Sequence, residues 1–189
     1  MKEYRNSIRS KRMIKRALVD ILKTEDLTKV TVKMIVDKAD LSRNTFYAHY
    51  QDIYSIIDEL QEEFIRECMK YLDEAIENKS FDEGNTLLFF NNMTRFIDAN
   101  LDEVNILLKT DNSADFIDKL KNLLISRVLE TTKYIVIKNP TGYMLFLDVL
   151  FCGALDLIKL YTNNKINLTL EDLAVEVNKI FQTGYRSYI

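Results

Sequence analysis

The sequence predicts an all-α protein, and three observations carry that expectation. Its 189 residues include one proline, Pro140, and four glycines, so the breakers that punctuate sandwiches and barrels are nearly absent. Apolar residues recur at spacings of three and four along almost the whole chain, the period of an amphipathic helix. The composition is 47% hydrophobic, enough to bury a core either as one domain or as a small domain joined to a larger one.

The elements follow in order. From Ser7 to Lys23 the residues Ile14, Ala17, Leu18, Ile21 and Leu22 share one face, which predicts a first helix. Thr31 offers a hydroxyl to the free amides of a short second helix, whose inward stripe is Val32, Ile35, Val36 and Ala39 and which stops by Asp40. Ser42 caps a third short helix in the same way, with Phe46 and Tyr50 inward and Leu41 plugging the turn. Asp52 caps a long fourth helix, since Ile53, Ile56, Leu60, Phe64, Cys68 and Leu72 keep one register as far as Asn78. Ser80 and Glu83 fit a capping box that opens a fifth helix, which breaks near Asn100. Further helices are expected over Glu103–Lys109, Ser113–Ile137, Pro140–Thr162 and Thr169–Arg186, the last opened by a Thr169 and Asp172 capping box. The domain division implied is residues 1–51 and residues 52–189.

Charge is unevenly placed. Residues 1–50 carry twelve Lys or Arg against six Asp or Glu, leaving +6 there and −9 in the remainder of a chain whose net charge is −3. A local positive field of that kind attracts a polyanion. The residues after Met1 lack the basic start, apolar stretch and small-residue cleavage site of an export signal, so a cytoplasmic chain is expected. Cys68 and Cys152 stand alone on apolar helical patterns and read as buried thiols. With one histidine, no paired Cys and His, no Gly-rich phosphate loop and no metal-ligand spacing, the parts of a catalytic centre are missing. The expectation is therefore no enzyme, no cofactor and no metal.

The segment from Thr31 to Tyr50 carries the functional signal. Two short helices joined by a tight turn form a helix-turn-helix, the geometry that lays a recognition helix into a major groove. The turn needs a residue that tolerates the left-handed region, and Asp40 is one of the few besides glycine that does so at modest cost. Arg43 and Asn44 at the start of the third helix can reach base edges, an Arg pairing well with guanine and an Asn with adenine. Thr45, Tyr47 and His49 supply groups suited to phosphate oxygens or to the thymine methyl. As ordinary protein chemistry, Thr31, Ser42 and Asp52 are helix caps anywhere, Tyr50 is packing, and a lone His49 is a surface residue. Their order and spacing beside a basic helix are what point to DNA.

At these residues the sequence resembles the TetR family of bacterial regulators: a threonine-led second helix, a tight turn, and a recognition helix reading Thr45-Phe46-Tyr47-Ala48-His49-Tyr50. The resemblance implies that Lys33, Arg43, Asn44 and Thr45 face the groove while Thr31, Ser42, Tyr47 and His49 hold phosphates. It also implies a homodimer on a palindromic double-stranded operator, acting as a repressor released by a small-molecule effector. Asp40 departs from the family's usual glycine, and Ile53 from its usual phosphate-gripping lysine.

In the remainder, the effector cavity is expected among Phe64, Phe89, Met93, Phe96, Phe116 and Phe146, because aromatic and Met side chains line ligand pockets as well as cores. The stretch Tyr143–Ile158 is apolar nearly all round but interrupted by Asp148 and Asp156, so it is a poor membrane span and needs burial on several sides. A second copy can supply one of those sides, with Leu147, Phe151, Leu155, Ile158, Val177 and Phe181 as the expected two-fold seam. Two other readings compete: an activator of the same fold, and a helical interaction protein whose helix-turn-helix reads nothing. Against a membrane-lying first helix, Ser7 to Lys23 contains no aromatic residue.

Overall fold

A computed structural model describes residues 2–76, 83–110, 113–133 and 135–189, the side chains at 2–5, 83 and 84 excepted. Among the described residues there are nine α-helices and no strand: α1 (Lys2–Leu22), α2 (Val32–Ala39), α3 (Arg43–Tyr47), α4 (Tyr54–Ile76), α5 (Glu83–Ala99), α6 (Leu101–Leu107), α7 (Ser113–Thr132), α8 (Pro140–Thr162) and α9 (Leu170–Tyr188). A single 3-10 turn, Leu27–Lys29, joins α1 to α2. No helix among them is long and apolar enough to cross a membrane.

Helix α1 begins at Lys2 rather than Ser7. Residues 2–6, Lys-Glu-Tyr-Arg-Asn, contain no apolar repeat for a periodicity to detect, only residues that a helix tolerates. Helix α7 stops at Thr132 rather than Ile137. The β-branched run Ile135-Val136-Ile137 disfavours helix, and Asn139 ahead of Pro140 is kept out of the helical region at φ −136° and ψ 88°. The Ser80 and Glu83 capping box and the last residues expected of α4 lie outside the described residues.

The chain divides into two compact units. One comprises residues 1–63 with Asp102–Thr110, the other Phe64–Leu101 with Asp111–Ile189. Helix α4 therefore gives its first ten residues to one unit and the rest to the other.

In the first unit α1 packs on α2 and α2 on α3. Ile14, Leu18, Ile35, Phe46 and Ile56 are fully buried, which is the apolar stripe of each helix turned to one centre. Among the described residues three ion pairs bind α1 to α4: Lys11 Nζ to Glu59 Oε2 at 2.9 Å, Lys15 Nζ to Glu63 Oε1 at 2.6 Å and Lys15 Nζ to Glu59 Oε1 at 3.6 Å.

In the second unit α5 packs on α9, α8 on α9 and α7 on α8. A buried polar chain crosses the α5–α9 contact, where the Thr86 hydroxyl donates to Asn178 Oδ1 at 2.6 Å and accepts from Gln182 Nε2 at 2.7 Å. Arg127 Nε donates to Asp73 Oδ1 at 2.6 Å, linking α7 to α4. At the α8–α9 crossing only glycine fits at position 184, because a Cβ there would fall onto the Phe146 ring. The α9 capping box is formed: Asp172 N–H donates to Thr169 Oγ1 at 3.0 Å and Thr169 N–H to Asp172 Oδ2 at 3.3 Å. Asn139 caps α8, accepting from Gly142 N–H at 3.0 Å, with Pro140 in the first helical position. Cys68 is buried as expected, but Cys152 is exposed. Helix α8 is apolar on nearly every side, so periodicity alone could not say which face turns inward.

Candidate nucleic-acid interface

The turn between α2 and α3 is built by local bonds. Thr31, in extended geometry, accepts from Met34 N–H at 3.3 Å and opens α2. Asp40 closes it in the left-handed region at φ 53° and ψ 48°, after which Leu41 N–H returns to Val36 O at 3.0 Å. That reversal lets the half-buried Leu41 sit in the turn. Ser42 Oγ then accepts from Thr45 N–H at 3.0 Å and pairs with Thr45 Oγ1 at 2.9 Å. Behind the helix, Phe46 is wholly buried, with the Tyr47 ring edge-on at 5.4 Å and Tyr50 at 6.0 Å.

What remains outward is Lys33, Ser42, Arg43, Asn44 and Tyr47, all exposed. Tyr47 is 58% exposed although its ring rests on Phe46, so its hydroxyl end faces solvent. Neither Arg43 nor Asn44 makes a side-chain bond to another described residue. Thr31 is exposed with its hydroxyl engaged in the cap, and Thr45 and His49 are half-buried. Thr45 has its hydroxyl already tied to Ser42, so it shapes the start of α3 before it can meet anything else.

The basic first helix separates into two sets. Lys11 and Lys15 turn inward: Lys11 Nζ lies 5.3 Å above the Tyr50 ring and holds both Glu59 oxygens, while Lys15 holds both Glu63 oxygens. Burial works to raise the Glu59 carboxyl, but the Lys11 ammonium and the charge of Lys15 outweigh it, and the group sits below its ordinary range. Arg9, Arg12 and Arg16 are exposed and have no ion pair among the described residues. A count of charges along the sequence does not separate the two sets. Pairing across 48 residues of sequence leaves no local signal.

Asp52 precedes α4 as a cap, accepting from Ser55 N–H at 2.8 Å and from the Ser55 hydroxyl at 2.7 Å, bonds that lower its carboxyl. The half-buried Ile53 offers no charge at the position where the family resemblance leads one to expect a lysine.

The second unit holds a cavity of about 80 Å³. Phe64, Phe89 and Met93 line it, together with Phe90, Leu173 and other residues not singled out from sequence. Phe96 and Phe116 instead pack against Phe64, at 5.5 and 5.8 Å, and Phe146 lies among Tyr143, Phe181 and Tyr188. Four of the six expected seam residues are buried within the chain, while Leu155 and Ile158 are half-exposed. Leu147, Phe151, Val177 and Phe181 are buried, and Phe151, Leu155, Ile158 and Val177 line the cavity. The apolar residues that α8 exposes are Met144, Leu145 and Val149, and a Cβ at Gly153 would meet nothing within 4 Å.

No family model matches the chain. Over 65 residues it is 35% identical to the uncharacterized HTH-type transcriptional regulator YxbF of Bacillus subtilis (strain 168), a match covering 34% of this chain and 17% of that relative. Solved structures match nearly end to end. A TetR transcriptional regulator from Streptococcus agalactiae 2603V aligns with TM-score 0.65 at 20% identity, covering 95% of this chain and 97% of the other. A TetR-family regulator from Streptomyces coelicolor aligns with TM-score 0.67 at 13% identity, covering 94% and 83%. The dihydroxyacetone kinase operon activator DhaS aligns with TM-score 0.67 at 14% identity, covering 95% and 97%. The chain thus has the all-α fold of the TetR-family transcriptional regulators.

Proposed function

We propose that the chain is a DNA-binding transcription regulator of the TetR kind. In this reading a homodimer binds a palindromic double-stranded operator and is released when a small molecule occupies the second unit. The observation that carries it is the exposed pair Arg43 and Asn44, whose side chains have no partner among the described residues, beside the exposed Tyr47, on a helix whose start is fixed by Ser42 and by the left-handed Asp40. Residues with no structural duty on a rigidly placed recognition helix suit base edges and phosphates. Lys33 joins them from α2 and the exposed α1 arginines add phosphate contacts, while Thr31, Thr45 and His49 support the same surface.

The dimer is supported by the outer face of α8. Leu145 and Val149 are 63% and 70% exposed, and a mid-helix glycine costs about 1 kcal/mol relative to alanine. Among the described residues nothing packs on Gly153 to require it. Close approach of another helix does require it, and a second copy places two recognition helices on successive turns of the duplex, roughly 34–36 Å apart. Helix α4, continuous from Tyr54 to Ile76 and shared by both units, is the carrier by which an occupied cavity changes that spacing.

The test is selection of bound duplexes from a randomised pool at near-physiological salt. Enrichment of a palindrome with half-sites about one helical turn apart is expected. Failure to enrich any sequence would contradict the reading. Activation is the second reading, favoured by the structural similarity to the operon activator DhaS, and the position of the selected operator relative to the promoter decides between them.

A further inference from the structure

The cavity of the second unit has a chemical character that its lining dictates. Its deep wall is Phe64, Cys68, Ile97, Leu120 and Leu124, all buried. Its other side is formed by half-exposed residues, Phe90 and Met93 of α5 facing Ala154, Leu155 and Ile158 of α8, so it opens between those two helices. The polar side chain in the lining is Thr94, whose hydroxyl already donates to Asn91 O at 3.0 Å. Cys68 brings a thiol that burial raises and keeps protonated, so it offers no charge. Among the described residues no Lys, Arg, His, Asp or Glu lines the space.

Two consequences follow from general chemistry. An apolar space stays dry, and one of about 80 Å³ has several times the roughly 10–15 Å³ that one ordered water needs on that scale. Protein interiors tolerate few such voids, because each forfeits the contacts of the atoms that line it. Moreover, a ligand that brings a hydroxyl or a carboxylate into the deep wall finds nothing to pair with it.

We propose that this cavity binds an uncharged hydrocarbon body no larger than about one aromatic ring, seated partly in the cavity and partly in its apolar mouth between α5 and α8, where Phe90, Met93, Leu155 and Ile158 also offer a charged group no partner. The proposal rests on the reading of the second unit as the effector site and names the class of ligand that site takes. Aromatic walls at Phe64, Phe89 and Phe90 give a ring edge-to-face partners, and Met93 adapts to its outline. The site rejects carboxylates, phosphates and cationic compounds, whose charge would be stranded against Leu120 and Leu124.

The experiment compares toluene, phenol and benzoate on the full chain by calorimetry and thermal melting, and then by release of a selected duplex. Toluene is expected to bind and to raise the melting temperature by about 3–6 °C at ten times its Kd. Phenol is expected to bind about tenfold more weakly, and benzoate to give no shift. Ala154→Phe, at a half-exposed position of the mouth, fills the space and abolishes the toluene shift. Benzoate binding as tightly as toluene, or no toluene binding at all, would overturn the ligand class. Release of DNA by a charged compound in that case keeps the effector reading alone. Conversely, toluene binding that leaves the DNA affinity unchanged upholds the ligand class and overturns the effector reading.

Discussion

Lys15 Nζ stands 2.6 Å from Glu63 Oε1 and 3.6 Å from Glu59 Oε1, so one ammonium of α1 answers two carboxylates a turn apart on α4. Glu103 of α6 shares that field, and its carboxyl is raised by burial and by Glu63 against the opposing pull of Lys15. Lys15→Met therefore leaves three acids without their shared cation. The variant is expected to lose about 1 kcal/mol in urea unfolding at pH 7 and less as pH falls, where protonation of Glu103, raised by burial, relieves the repulsion. Glu59, held below its ordinary value, contributes stability above about pH 4.5 that disappears as pH falls through its folded value. Glu59→Gln should flatten that acid limb.

Asp40 occupies the left-handed region at φ 53°, where a side chain is strained and glycine is not. Asp40→Gly is expected to stabilise the chain by less than about 1 kcal/mol, and Asp40→Ala to cost about that much, since Ala lacks the local polar contacts that make Asp tolerable there. Chemical denaturation reads both. Equal destabilisation by the two substitutions would mean that the Asp40 side chain, not its backbone, holds the turn.

Arg9, Arg12 and Arg16 lie exposed on α1 and unpaired among the described residues, whereas Lys11 and Lys15 are committed to glutamates. Replacing the three arginines by alanine should leave stability within about 0.5 kcal/mol. The same variant should flatten the log-log salt dependence of DNA binding by up to about 3 per chain. Anisotropy titrations across a salt series measure the slope.

Gly153 of α8 and Gly184 of α9 make opposite predictions. Gly184→Ala drives a Cβ into the Phe146 ring and is expected to cost about 1–3 kcal/mol. Gly153→Ala meets no atom of the described residues within 4 Å and should improve helix propensity by about 1 kcal/mol in a monomer. A fall in dimer affinity on Gly153→Ala, read by sedimentation, would report the close approach of a second copy, and Val149→Arg should separate the copies outright.

Much of the fold was legible because its signals are local. The Thr31, Ser42 and Thr169 caps each span three residues, and the stripes of α1, α2 and α4 each show one apolar face. The helical start of α1 was not legible, since residues 2–6 form helix without an apolar pattern. Neither was the orientation of α8. Periodicity marks residues as apolar, but where both faces are apolar it cannot say that Leu147 and Phe151 turn inward while Leu145, Val149 and Cys152 turn out. The cavity was legible only in part, because it is an absence of atoms set by how helices space themselves rather than by any residue type. In the candidate interface the sequence supplied the residues and their order. The structure added which of them have a prior engagement: Thr45 with Ser42, and Lys11 with Glu59.

The most direct test of the central claim, that α3 reads DNA through its unengaged side chains, is binding of the selected duplex and its single-base variants by three proteins: wild type, Arg43→Ala and Tyr47→Phe. Arg43→Ala is expected to lose discrimination at one base pair per half-site, worth about 1–3 kcal/mol. Tyr47→Phe, which removes a hydroxyl placed for phosphate, should weaken binding to every sequence alike. Uniform loss on all duplexes by both variants, or no loss by either with the fold intact, would contradict the assignment of α3 as the reading helix.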